Sequence, residues 1–214
     1  MDELQVLYGG TFDPVHDGHL AIACSARDAL STTVHLMPAA DPPHRAPPGA
    51  SAADRVAMLR LALQDVPGLA LDLRELGREG RSWTVDTLRE LRRETGGERP
   101  VALLVGADSF AGLPAWKEWE ALFGLAHFVV ASRHAAPLAG DMAAPLEAAL
   151  AGRIVALPHA LRQSAAGQVW FLRQPLHPHS ASDIRARIGS GRPWRHLLPA
   201  AVAAYIQDHG LYGA

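Results

Sequence analysis

Short apolar runs alternate along the chain with longer stretches whose apolar residues recur at helical spacing, and no fixed-period repeat is visible. The first run, residues 4–8, predicts a buried strand ending at Gly9-Gly10. Residues 20–30 carry apolar positions at helical spacing as far as Ser31-Thr32, and residues 34–37 predict a second strand that runs into the Pro-rich loop 38–48. Ser51 has the place of an N-cap for a helix reaching about Asp65, with Arg55, Met58, Leu59 and Ala62 around its faces. A third short strand is predicted over 69–73. A helix follows over 84–94, where Val85, Leu88 and Leu91 form an apolar stripe closed by Gly96-Gly97. Residues 101–105 are the clearest buried strand, continuous and apolar up to Gly106. A short helix over 116–123 and a buried strand over 127–131 come next. The Ala- and Pro-rich stretch 135–152 carries no legible pattern. Residues 154–157 and 169–172 are late strand candidates, and 184–188 and 202–207 predict helices, the last stopped at His209-Gly210.

Strand–helix alternation of this kind calls for βαβ crossovers and a mostly parallel sheet covered on both faces. The predicted fold is a doubly wound α/β domain. A length of 214 residues suits a single domain over 1–214, with a helical part over about 180–214.

Composition narrows the partners. With 49% hydrophobic and 20% charged residues the chain resembles an ordinary soluble globule, which excludes disordered and fibrous architectures. Twenty Lys and Arg against 22 Asp and Glu leave a formal charge of −2, so there is no polycationic surface for nucleic acid, and 6% aromatic residues offer few stacking platforms for a single strand. No window reaches the ~18 apolar residues of a membrane span. The first residues lack the basic and apolar segments of a signal peptide. The single cysteine, Cys24, falls in a helical apolar pattern and is read as core filler; it excludes an internal disulfide framework and a Cys-rich zinc site. A cytoplasmic protein without membrane or nucleic-acid partners is expected. Two oddities survive: 11 residues are His, and Lys117 is the only lysine. An anion held by this chain must be held by Arg, His and backbone amides.

In a doubly wound sheet, ligands sit beyond the carboxyl ends of the strands. Four strand-exit loops carry unusual polar residues there: 9–19, 41–45, 106–109 and 179–185. The first reads Gly9-Gly10-Thr11-Phe12-Asp13-Pro14-Val15-His16-Asp17-Gly18-His19, which is not the GxGxxG fingerprint of dinucleotide binders. Paired glycines let backbone approach a ligand closely. Asp13-Pro14 sets a turn, and Gly18 lets the chain fold tightly between the two histidines. His19 falls at or near a helix start, where N–H groups and partial positive charge favour phosphate. Imidazole donors beside that helix end suit the stabilisation of charge on a transferring phosphoryl group. Two plainer readings stand beside this one: a metal pair, or histidines that cap a turn. Metal pairs usually come at helical spacing with a third His or a carboxylate nearby, whereas here Gly18 intervenes.

These residues resemble the G-G-T/S-F-D-P-x-H-x-G-H signature of nucleotidyltransferases of the HxGH type, and specifically the bacterial nicotinate-nucleotide adenylyltransferases. Pro42-Pro43-His44-Arg45 resembles that family's P-P-H-K/R loop, and Ser82-Trp83-Thr84 its S-Y/W-T segment. Gly106-Ala107-Asp108-Ser109 resembles G-x-D-S/N, followed by Trp116 in L-x-x-W-x-x-W/Y-x-x-L. Residues 180–185 resemble the S-S/A-T-x-I-R motif, with Ala181 where a second Ser is frequent and Ser182 where Thr is usual. Leu197-Leu198-Pro199 through His209-Gly210-Leu211-Tyr212 resembles the family's ending. Only 135–167 carries nothing that can be placed.

The resemblance implies a Rossmann-like nucleotidyltransferase fold and adenylyl transfer from ATP to nicotinate mononucleotide, giving deamido-NAD and pyrophosphate. His16, His19 and Arg185 would be catalytic. ATP would be bound by Gly9, Gly10, Thr11, Phe12, His16, Gly18, His19, Gly106, Asp108, Ser180, Ser182, Ile184 and Arg185. The mononucleotide would be bound by Thr11, His44, Arg45, Ser82, Trp83, Thr84, Asp108 and Trp116, with Trp116 stacked on the pyridine ring and Thr84 beside the carboxylate. Mg²⁺ would ride on the ATP phosphates, with no metal site of the protein's own. Asp86 and Asp183 are read as first-turn helix acids. On the first loop alone, adenylyl or cytidylyl transfer to nicotinamide mononucleotide, phosphopantetheine or glycerol phosphate is the alternative. A catalytically idle nucleotide sensor on the same fold is another. The sequence sets no oligomeric state, and a homodimer is compatible with it.

Overall fold

A computed structural model describes residues 3–40, 48–78, 80–132, 142–174 and 179–214. Six apolar runs become the strands β1 (Gln5–Gly10), β2 (Val34–Pro38), β3 (Leu69–Leu71), β4 (Val101–Gly106), β5 (His127–Ser132) and β6 (Val169–Arg173). They form one sheet of order β3-β2-β1-β4-β5-β6, and every pairing is parallel. The chain leaves β1 toward one edge through β2 and β3, then returns to pair β4 on the other side of β1. Gly9-Gly10 and Gly106 therefore end side by side at the point where the strand order reverses, the place where such sheets bind ligands.

Side chains alternate across a strand, so β1 feeds two cores. Leu4, Val6 and Tyr8 face a cluster completed by α1 (Asp17–Leu30), α2 (Ala52–Leu63), α7 (Ala181–Gly189) and α8 (Ala200–Asp208). Leu7 faces the other cluster, completed by α3 (Thr84–Thr95), α4 (Ala107–Ala111), α5 (Leu122–Leu125) and α6 (Ala144–Ala149). The helices at residues 181–208 thus cover the same sheet face as α1. Cys24, half-buried, packs against that first cluster.

Local chemistry sets the helix boundaries. Ser51 and Ser180 cap α2 and α7, each hydroxyl accepting from the N–H three residues on, at Asp54 and Asp183. The Val85, Leu88 and Leu91 stripe buries one face of α3, and Gly96 ends the helix at a φ of 82°. Two expectations are corrected. Residues 116–123 are not one helix but short 3₁₀ turns, Leu113–Ala115 and Trp119–Ala121, leading into α5. Between the turns Trp116 is extended and Glu118 takes a left-handed φ of 49°, its carboxylate gripped by both Arg89 Nη atoms. Residues 154–157 are not a strand. Ile154 makes one bridge to Val169, Ile154 and Leu157 stay exposed, and Pro158 opens a 3₁₀ turn, Pro158–Arg162. Among the described residues, no helix is long and apolar enough to cross a membrane.

Candidate active site

The loop between β1 and α1 folds around its own side chains. Phe12, fully buried at a φ of 50°, sets its ring edge-on to Tyr8 and His19, with centroids 5.6 and 5.0 Å away. A Cβ on Gly10 would come within 2.9 Å of that ring, so only glycine leaves it room. His16 is the N-cap of α1. Its Nδ1 accepts from the Gly18 N–H at 3.1 Å, and His19 Nδ1 accepts from the His16 N–H at 3.3 Å. This is a reciprocal capping box in which two imidazoles take the places of Ser and Glu. With Nδ1 of each neutral ring accepting, the hydrogen-bond pattern assigns the ring proton to Nε2, so both imidazoles are donors at that nitrogen. The rings lie 3.8 Å apart. Turn capping and a donor pair at a helix start, two readings of these histidines, are one arrangement.

A second helix start faces the first. Arg185, one turn into α7, donates from Nη2 to the Ser182 hydroxyl (3.2 Å) and from Nη1 to the Asp13 carbonyl, so it reaches back to the first loop. Asp183 is more than a first-turn acid: its Oδ2 meets Arg187 and His179, each at 2.9 Å. Arg187 first, then His179, holds this carboxyl below the usual range. Arg55, expected on a helix face, is fully buried. It donates to the carbonyls of Thr11 and Ala39, 2.8 Å each, tying the exits of β1 and β2 together, and burial lowers its pKa.

The opposite wall is built on α3. Trp83 precedes the helix, and its side chain makes no cap hydrogen bond to the amides of the first turn. Ser82 Oγ accepts from the Ala40 N–H at 2.9 Å. Buried Glu75 accepts from the Thr87 hydroxyl at 2.7 Å, and burial raises its carboxyl above the ordinary value. Trp116 packs half-buried against the core of this side. Beside it Lys117 pairs with Asp86 at 2.9 Å and lies 5.7 Å over the Trp83 ring, which gives Asp86 a role beyond its place in the first turn. Asp108 follows Gly106, where a Cβ would meet nothing within 4 Å and the backbone is open to a ligand.

These walls enclose a cleft of about 910 Å³ at the carboxyl edge of β1 and β4. Residues 7–187 match the family model described as cytidylyltransferase-like. A protein of Stenotrophomonas maltophilia named "Probable nicotinate-nucleotide adenylyltransferase" is 58% identical, over 99% of this chain and 98% of its own length. One of the same name from Xylella fastidiosa is 46% identical, over 100% and 98%. The chain belongs to the nicotinate-nucleotide adenylyltransferases of the cytidylyltransferase-like family. A nicotinic acid mononucleotide adenylyltransferase of Plasmodium falciparum, solved in complex with NaAD, superposes with a TM-score of 0.72 over 98% of this chain and 97% of that one. At 14% identity that likeness is one of fold.

In this adenylyltransferase the cleft is lined by Gly9, Gly10, Thr11, Phe12, His16, Gly18 and His19 from the first loop. Ser82, Trp83, Thr84, Gly106, Asp108 and Trp116 line the α3 side, and Ser180, Ser182 and Arg185 the start of α7. Ile184 does not line it: its side chain is buried in the core behind α7. His44 and Arg45 lie outside the described residues. Sequence reasoning missed Glu75, Lys117 and Gln174, which also line the cleft. Lys117 had a signal, being the chain's one lysine and adjacent to Trp116. Glu75 sits among charged neighbours that look solvent-facing. Gln174 follows β6 with its Oε1 buried and, among the described residues, without a hydrogen-bond partner, an acceptor for a ligand donor.

Proposed function

We infer that the protein transfers the adenylyl group of ATP to nicotinate mononucleotide, giving deamido-NAD and pyrophosphate in NAD biosynthesis, and that it does so in the cytoplasm. One observation carries the reading. Two donor-bearing helix starts, His16 and His19 on α1 and Ser180, Ser182 and Arg185 on α7, open on one cleft opposite the wall bearing Thr84 and Trp116.

The attacking 5′-phosphate is already an anion, so no general base is required. Its oxygen forms a bond to the α-phosphorus of ATP while the bond to the β-phosphate oxygen breaks. Catalysis is alignment plus stabilisation of charge on the α-phosphate and the departing pyrophosphate. His16 and His19 donate from Nε2 to the α-phosphate side, and Arg185 with the Ser180 and Ser182 hydroxyls holds the pyrophosphate side. Gly9, Gly10, Thr11, Phe12, Gly18 and Gly106 let backbone approach ATP, and Asp108 accepts from ribose hydroxyls. Ile184 supports α7 from behind. This donor set suits a triphosphate that arrives with Mg²⁺ bound, and the ion offsets phosphate charge as part of that substrate.

For the acceptor, the first-turn amides of α3 and the Thr84 hydroxyl receive the nicotinate carboxylate, Ser82 and Trp83 shape that turn, and Trp116 stacks on the ring. An amide in place of the carboxylate would turn an NH₂ toward a donor, so the acid is preferred. The test incubates the protein with ATP, Mg²⁺ and either nicotinate or nicotinamide mononucleotide and follows pyrophosphate. Turnover with the acid form well above the amide form is expected. No turnover with either removes the reading, and equal turnover removes the selectivity.

A further inference from the structure

The motif at residues 209–212 has no part in the cleft, yet Tyr212 reaches the loop that shapes it. The hydroxyl of Tyr212 donates to Asp13 Oδ1 at 2.7 Å. The same carboxylate accepts from the Gly49 N–H at 2.7 Å and the Ala50 N–H at 3.1 Å, and Arg185 Nη1 lies 3.5 Å from Oδ2 while donating to the Asp13 carbonyl. Four separate segments thus meet at one buried carboxylate. The packing is close: a Cβ on Gly49 would come 3.2 Å from the Tyr212 ring and 3.5 Å from Arg185 Cδ.

The backbone of Tyr212 adds a second observation. It holds a left-handed φ of 60° and ψ of 14°, a conformation that aromatic residues avoid, so side-chain contacts must keep it there. Burial, and then Asp13, push its hydroxyl far above the ordinary tyrosine range, so it remains a donor.

We propose that Tyr212 is a positioning residue: its hydroxyl fixes the Asp13 carboxylate, and through it the Arg185 guanidinium and the Gly49-Ala50 end of the β2–α2 loop, for the phosphates of the nucleotide. This rests on the phosphate role given to Arg185 above.

The test is a double-mutant cycle of Tyr212→Phe and Arg185→Gln. For all four proteins, turnover and the affinity for inorganic pyrophosphate with Mg²⁺, by calorimetry, are measured alongside melting temperature. Tyr212→Phe keeps the ring and its packing. It should lower turnover and pyrophosphate affinity about tenfold, the usual weight of a hydrogen bond to a charged group, with the mononucleotide KM unchanged. In the Arg185→Gln background the same substitution should have no further effect. Wild-type values for Tyr212→Phe, or equal losses in both backgrounds, would overturn the proposal. A purely structural tyrosine would lower the melting temperature in both backgrounds and leave the kinetics of the folded protein intact. If wild-type protein turns over neither mononucleotide, the proposed function fails separately, and the pyrophosphate cycle alone decides the role of Tyr212.

Discussion

Among the described residues two carboxyl groups are buried in the walls of the cleft, and they are partnered in different ways. Asp13, 3% exposed, meets two backbone N–H groups and the Tyr212 hydroxyl, with the Arg185 guanidinium beside it. Glu75, 5% exposed, meets the hydroxyls of Thr87 and Ser82, and burial outweighs them, raising its carboxyl. Backbone donors cannot turn away, whereas hydroxyls rotate. The Asp13 side is therefore preset by the fold, with Arg55 binding strand exits behind it. The α3 side is held from outside by half-exposed pairs, Lys117 with Asp86 and Arg89 with Glu118, which salt screens. In the proposed reaction the rigid wall holds phosphate, where geometry sets the rate, and the adjustable wall holds the ring, where shape sets affinity.

The largest effect should come from the rigid wall. His19→Ala is expected to lower kcat by two orders of magnitude or more, about 2.7–4 kcal/mol of transition-state stabilisation, while the protein stays folded with a melting temperature lowered only by the lost cap. A near-normal rate would assign His19 to capping alone. Asp13→Asn turns an NH₂ toward donors and should cost about 1.5–3 kcal/mol of stability in urea titration, with a fall in kcat. Trp116→Ala, on the other wall, should raise the mononucleotide KM about fivefold, roughly 1 kcal/mol, with kcat little changed; a pure kcat effect would count against ring stacking. Lys117→Met removes an exposed pair and should cost about 0.2–1 kcal/mol, shrinking further in high salt.

Glu75→Gln should do least, and in the opposite direction to Asp13→Asn. A carboxyl raised in the folded state adds most stability below its unfolded value, near pH 4.5, and loses it as pH rises through the raised folded value. Gln lacks that slope, so at neutral pH the variant should melt at or above the wild-type temperature. If it melts well below, the two buried carboxyls are alike and the contrast fails.

The sheet was legible because parallel strands buried on both faces leave continuous apolar runs such as 101–105. The caps at Ser51 and Ser180 were legible because a cap is local chemistry. The run 154–157 was just as apolar but had one bridge to pair with, and periodicity carries no information about partners. The break at Glu118 depends on Arg89, 29 residues away. Most of the cleft lining was found because its glycines, histidines and serines cluster in strand-exit loops. What escaped was support by buried polar groups. Arg55 and Glu75 look like ordinary helix and loop charges until the fold brings carbonyls and hydroxyls to them.

The sequence separations within the rigid wall have a consequence for its synthesis. Arg185 and Tyr212 follow Asp13 by 172 and 199 residues. At roughly 5–20 residues per second, a ribosome needs about 10–40 s to travel from the first of these to the last. Until the end of that interval the nascent chain carries the two-histidine loop with Gly49, Ala50 and Arg55 but without the Tyr212 hydroxyl, so this wall cannot take its final form before residue 212 has been made.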